Sequence, residues 1–182
     1  ELVRLSKEAG MPAVAVTDRC NFFGAIKFYN TARASGIKPL LGATIAVLDQ
    51  GQVSVLTLLC LSHQGYENLK LLISRAYLQG QTPEGKPRVL KQWVAEHASG
   101  LIALSGARYG DVGIALVKDN QEQAQANLEF WLSIFGDRYY LELQRTGRSN
   151  EELYLQQALV LAKRHNVPVV ATNDVCFAQA ED

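Results

Sequence analysis

The chain has 182 residues, 48% of them hydrophobic, with eighteen basic and eighteen acidic side chains. That is enough apolar material for one domain with a real core, while the balanced charge excludes this segment as the main grip on duplex nucleic acid, which needs an excess of Lys and Arg. No apolar run approaches the ~18 residues of a membrane span, and the odd set Cys20, Cys60 and Cys176 argues for a reducing, cytoplasmic setting rather than a disulfide framework.

In chain order, Leu2, Leu5 and Ala9 are spaced as on a helix that Gly10 stops. The opening reads as a helix already under way and the end lacks terminating logic, so a piece of a longer protein is expected. A strand over 12–17 follows, then an amphipathic helix from Gly24 to about Ser35 carrying Ala25, Ile26, Phe28, Tyr29 and Ala32. Residues 39–48 read as a strand in which Gly42 marks a bulge or a close approach. Gly51 turns the chain into a second strand over 53–61, pairing with the first as a hairpin. A helix over 63–78 comes next, with Leu69, Leu72, Ile73 and Ala76 on one face. The stretch 79–88, with two Gly and two Pro, predicts an exposed excursion.

Beyond it lie a short helix over 90–97, a buried strand over 101–104 broken by Ser105-Gly106, and helices near 111–117 and 120–135. Residues 138–143 alternate as a strand, in which Glu142 points into a barrel mouth or, preferably, into solvent. Ser149 and Glu152 fit a capping box for a helix running to about His165, which feeds a final strand. Helices alternating with mostly unpatterned apolar strands give an α/β fold with a largely parallel sheet.

Two apolar runs end on an aspartate: Gly10 to Asp18, and Asn166 to Asp174. Runs of this kind suit strands buried on both faces, whose carboxyl ends are where sites are assembled. Asp18 and Asp174 there form a candidate metal or phosphate-chemistry pair, or alternatively cap the next turn. Each has a cysteine two residues on, Cys20 and Cys176, as a metal ligand or, more commonly, a small buried hydrophobe. His63, His97 and His165 suit helix ends better than metal ligation. Arg145-Thr146-Gly147-Arg148 and Ser105-Gly106-Ala107-Arg108 resemble anion-binding turns only loosely, and no P-loop, dinucleotide fingerprint, nucleophile elbow or zinc-finger spacing occurs.

Several segments together carry a stronger signal: Gly10 to Asp18, Gly24 with Lys27-Phe28-Tyr29, Gly36-Ile37-Lys38-Pro39-Leu40-Leu41-Gly42, Gly65-Tyr66-Glu67-Asn68-Leu69, Leu104-Ser105-Gly106, Tyr140-Leu141-Glu142-Leu143-Gln144 and Val170-Ala171-Thr172-Asn173-Asp174. In collinear order they resemble the amino-terminal polymerase-and-histidinol-phosphatase (PHP) domain of bacterial DNA polymerase III alpha subunits. Arg108 to Gly113 and Arg145 to Arg148 are similar to the proteobacterial form. The resemblance implies a distorted (β/α)7 barrel of TIM-like type, present here over 1–182 as a single partial domain lacking its first strand and its C-terminal part. Polymerase palm, fingers, thumb and clamp-binding regions are not expected in this chain.

In relatives with an intact site, the resemblance implies a metal cluster at the strand carboxyl ends. Here Arg19 stands where a ligand His is usual, Thr44 where Glu is usual, Ala107 where Cys or His is frequent, and Cys176 where the last strand carries His. Asp174 survives as a ligand type, as does Asp18, as ligand or orienting group. A guanidinium in a cation cage opposes the cation, so the resemblance implies a vestigial site at Asp18, Arg19, Thr44, Ala107, Asp174 and Cys176. Arg19 is expected to pair with Asp18 or Asp174. No cofactor is expected in this segment, residual Zn2+ or Mn2+ included, and Mg2+ would serve the parent polymerase. The implied role is a catalytically inactive scaffold that stabilises the polymerase and docks the proofreading 3'-5' exonuclease subunit (epsilon). DNA and the other replicase subunits would be met through the parent, and no membrane is involved. The competing readings are an active metal-dependent phosphoesterase or proofreading exonuclease, a free-standing metabolic barrel, and the error-prone alpha paralogue.

Overall fold

Small and β-branched residues at Ala13–Val16 form β1, entered from helix α1 (Leu2–Glu8) through the left-handed Gly10. The computed structural model describes residues 1–173 and Val175; Asp174 and residues 176–182 lie outside the described residues. Helix α2 (Ala25–Ala34) turns Phe28 and Ala32 inward, where with Val3 and Ile37 they form a small apolar cluster against Val14, Val16 and Leu41. Strand β2 (Lys38–Asp49) pairs parallel to β1, and a two-residue turn sends the chain straight back as β3 (Gln52–Cys60). Gln50 and Gly51 take φ of 45° and 82°, the pair of positive values that a type I′ hairpin needs.

Ser62 caps α3 (His63–Gln79) by accepting from the Gly65 N–H at 3.2 Å. Gly65 is required by close approach, because a Cβ there would lie 1.8 Å from the Gly100 carbonyl oxygen. The chain then adds β4 (Val89–Leu90), α4 (Lys91–Glu96), β5 (Leu101–Leu104), α5 (Asp111–Val117), α6 (Gln121–Phe135), β6 (Tyr139–Gln144), α7 (Glu151–His165) and β7 (Val169–Thr172). The sheet order is β1-β2-β3-β5-β6-β7, with β4 alongside β2. This is a mixed α/β fold, a partial barrel rather than a closed one.

The sheet is less uniformly parallel than its sequence pattern suggests. The tight turn makes β3 antiparallel to β2, and β5 is antiparallel to β3 in turn. Two reversals cancel, so β1, β2, β5, β6 and β7 all point the same way. Their carboxyl ends share one rim. Gly42 is a close approach and not a bulge: a Cβ there would stand 2.4 Å from the Leu58 carbonyl oxygen, within an unbroken β2–β3 register.

The main core is organised around a buried polar centre. The Asp111 carboxylate accepts from the Val112 N–H at 2.8 Å and from the Trp131 indole N–H at 2.9 Å. Lys91, nearly as buried, places its Nζ 2.8 Å from Asp111 and 3.2 Å from Asp49. Trp131 also stacks on Tyr139 at 6.4 Å between ring centres. The predicted capping box at the start of α7 does not form. Asn150, at φ 64°, is the N-cap residue, and Glu152 is drawn off to Arg145 at 2.7 Å. Glu151 instead turns back and accepts from the N–H groups of Thr146 and Arg148, and from the Thr146 hydroxyl. Among the described residues no helix is long and apolar enough to cross a membrane.

Removing one partner of a buried pair strands the other's charge. Asp111→Asn is therefore expected to lower unfolding stability by about 3 kcal/mol, whereas Asp49→Asn, at a half-exposed partner, costs under about 1 kcal/mol; urea denaturation distinguishes them. Burial pushes the Cys60 thiol up to about 11 from 9 and raises the Tyr139 and Tyr154 phenols in the same direction. Unfolded, these groups deprotonate first as pH rises, so the unfolded state binds fewer protons there. Stability falls above about pH 9, and Cys60→Ala is expected to flatten that slope in thermal scans between pH 8 and 11.

Candidate functional site at the carboxyl rim

Beyond Val16 the chain stays fastened to β2. The Thr44 N–H donates to the Asp18 carbonyl at 3.1 Å, and the Cys20 N–H donates to the Thr44 carbonyl at 2.9 Å. Arg19 thereby sits opposite Thr44 as an isolated parallel bridge. Of the residues singled out from the sequence, Asp18, Arg19 and Thr44 are thus brought together at the rim. Asp18 and Arg19 are both exposed. The Asp18 carboxylate faces Gly24, the N-cap of α2, with 3.8 Å between Oδ2 and an ideal Cβ built on that glycine. Its pairing with Arg19 is not formed: Arg19 makes no ion pair with a described carboxylate. The reason is geometric, since neighbouring side chains on extended backbone project to opposite sides. The alternative partner, Asp174, lies outside the described residues, as does Cys176.

The Thr44 hydroxyl is already engaged, 3.1 Å from the hydroxyl of Thr57 on β3. Ala107 follows β5 in a single 3-10 turn, 1% exposed and at φ 48°. It is a packed methyl group with no donor to offer.

The residue at the centre of the rim is Glu142, which is buried and not turned to solvent as its strand alternation suggests. One carboxylate oxygen accepts from the Gly106 N–H at 3.0 Å, and the other from the Thr172 hydroxyl at 2.6 Å. Its backbone N–H donates to the Ser105 hydroxyl at 2.9 Å, and its carbonyl accepts from the Tyr154 hydroxyl at 2.6 Å. One residue therefore ties the ends of β5, β6 and β7 to α7. Beside it, Arg108 lies over the Tyr109 ring, 4.6 Å from its centre, and donates to the Tyr109 hydroxyl and the Ser149 carbonyl. The Arg108 guanidinium holds the Tyr109 phenol below its usual range.

The other motifs are occupied by structure. Arg145 holds Glu152, His63 opens α3 in an exposed i,i+4 contact with Glu67, and His97 and His165 close α4 and α7. Among the described residues no three His, Cys, Asp or Glu side chains are grouped to hold a metal ion. A hydrolytic cluster needs several free nitrogen and oxygen donors. The rim provides an exposed Asp18, a cation at Arg19, a committed hydroxyl at Thr44, a methyl at Ala107 and a Glu142 whose oxygens both accept protein donors. These residues do not fit such a cluster.

The family model for the PHP domain matches residues 1–146. The chain belongs to the PHP domain family. It is 47% identical to the DNA polymerase III subunit alpha of Vibrio cholerae over 99% of its length, and 47% identical to that of Pseudomonas aeruginosa over 95%. The Escherichia coli K12 subunit is 45% identical over the whole of this PHP chain. The chain spans 15–16% of the length of these relatives. In fold, it superposes with a TM-score of 0.62 at 14% identity on a Bifidobacterium adolescentis protein provisionally described as a metal-dependent phosphoesterase, covering 93% of this chain and 79% of that one. An amidohydrolase from Chromobacterium violaceum, with bound sulfate and no metal, gives 0.56 at 15% identity, over 95% and 80% of the two chains.

Replacing Glu142 removes the acceptor of the buried Gly106 N–H, at about 1–3 kcal/mol, and of the half-buried Thr172 hydroxyl, at less. Glu142→Ala is expected to destabilise the PHP domain by roughly 3 kcal/mol, and Glu142→Gln, which can still accept from one donor, by about half as much, read by chemical unfolding.

Proposed function

We propose that this chain is a part of the catalytic alpha subunit of the replicative DNA polymerase III, and that its PHP portion is a non-hydrolytic scaffold. The observation that carries the reading is identity of 42–47% along 95–100% of the chain to alpha subunits from several bacteria. The rim chemistry supports the second half: positions where hydrolytic relatives would keep donors hold a cation, an engaged hydroxyl and a methyl group. The parent would be a cytoplasmic DNA-directed DNA polymerase using Mg2+ at a palm outside this segment. The PHP portion would stabilise that polymerase and dock the separate proofreading exonuclease subunit, with DNA met mainly elsewhere in the parent. No Zn2+ or Mn2+ is assigned to the PHP rim.

The test uses the full-length gene product, which should extend a primed DNA template only when Mg2+ is supplied. Its metal content after extensive dialysis should fall well below one Zn or Mn per molecule, and any trace phosphoesterase or 3'-5' exonuclease activity should be unchanged in Asp174→Ala. Substantial hydrolysis that disappears with Asp174→Ala would establish the active phosphoesterase reading in place of this one.

A further inference from the structure

Helix α2 carries an outward face that no described residue covers. Phe23, just before the helix, is 90% exposed, Ile26 is 61% exposed and Tyr29 is 36% exposed. Ile26, Tyr29 and Arg33 recur at three- and four-residue spacing and share one side of the helix, while Ala25, Phe28 and Ala32 are buried. At the C-terminal end of this stripe a shallow cleft of about 430 Å3 opens between Tyr29, Arg33, Gly36, Ile37, Lys38 and Pro39.

The charge around the stripe is one-sided, although the chain as a whole is neutral. Between Asp18 and Asp49 there is no acidic residue, while Arg19, Lys27, Arg33 and Lys38 are all basic. None of these four makes an ion pair with a described carboxylate. Elsewhere several cations sit in ion pairs, Arg4 with Glu1 and Glu8, Lys70 with Glu67, Arg75 with Glu96 and Arg145 with Glu152, whereas the stretch from 19 to 48 itself offers its cations no acidic residue. An apolar ridge bordered by unmatched cations has the composition of a protein interface, which favours aromatic residues and Arg and excludes Asp and Glu from its centre.

We propose that this face docks a segment of a partner protein that presents an apolar ridge flanked by carboxylates. The inference rests on the scaffold reading and fixes where the scaffold binds. Single-stranded nucleic acid is disfavoured as the occupant. Successive bases need a row of open aromatic faces, and here Ile26 sits at the centre while the Arg33 guanidinium lies over the Tyr29 ring, 5.8 Å from its centre. Apolar anchors would supply affinity, and the cations would supply register and a salt-dependent association rate.

The experiment takes the full-length gene product and, as probe, the purified proofreading exonuclease subunit encoded by the same genome. Ile26→Asp and Arg33→Glu are each expected to weaken binding at least tenfold, and Arg33→Glu to reduce its salt dependence. Leu78→Asp, at an 82% exposed position on α3, should bind as wild type does. All three positions are exposed, so an unchanged thermal midpoint confirms folding. If both α2 variants bind like wild type while Leu78→Asp weakens the complex, docking is real but this placement is overturned. If the wild-type protein does not bind the subunit, the scaffold reading fails and this inference with it. If the α2 variants lose affinity for a single-stranded oligonucleotide and not for the subunit, the face is a nucleic-acid surface and the proposal is wrong.

Discussion

The carboxylate of Glu142 is the interaction around which the rim is built. Parallel strands have no turn to join their ends, so something else must fix β5, β6 and β7 relative to one another where their ladders stop. Glu142 does so by accepting from Gly106 after β5 and from Thr172 at the end of β7, while its own backbone engages Ser105 and Tyr154. A carboxylate with protein donors on both oxygens is held in place as a structural group.

Around that hub, the remaining rim residues have the character of packing and electrostatics. Thr44 and Thr57 pair across β2 and β3, Ala107 fills space, and Arg19 extends outward without a described partner. The barrel-end position common to α/β enzymes is retained, while among the described residues no three His, Cys, Asp or Glu side chains are grouped there to hold a metal ion. Fold and chemistry thus separate here: likeness to solved structures at 14–15% identity shows the architecture alone, and activity has to be argued from side chains.

Much of the architecture is legible in the amino-acid pattern because most of its helices and strands are long or strongly periodic. The α3 and α6 helices, the β2–β3 hairpin and the strands at 101–104 and 169–172 lie where composition places them. Two-residue β4 carries no periodicity to detect. Glu142 defeats the pattern because alternation separates core from solvent only when one sheet face is wet; with both faces covered, the polar side of the strand is buried too. Its best sequence signal is the set of possible partners on neighbouring elements, Ser105, Tyr154 and Thr172, which only topology brings together. The capping box fails for a local reason: Asn150 adopts a left-handed conformation, and Glu151 rather than Glu152 folds back onto the preceding turn. The α2 face is hidden from composition because a charge balance taken over the whole chain masks an imbalance confined to residues 19–48.

The distribution of tryptophan has a practical corollary. Trp93 and Trp131 are both buried in the larger core, Trp131 against Tyr139 and the Asp111 carboxylate, while the small cluster of Val3, Phe28, Ala32 and Ile37 contains neither. Intrinsic emission therefore reports on the α4–α6 half of the molecule. Loosening of the α1–β1–α2 unit alone would be optically silent, and that unit requires a reporter of its own.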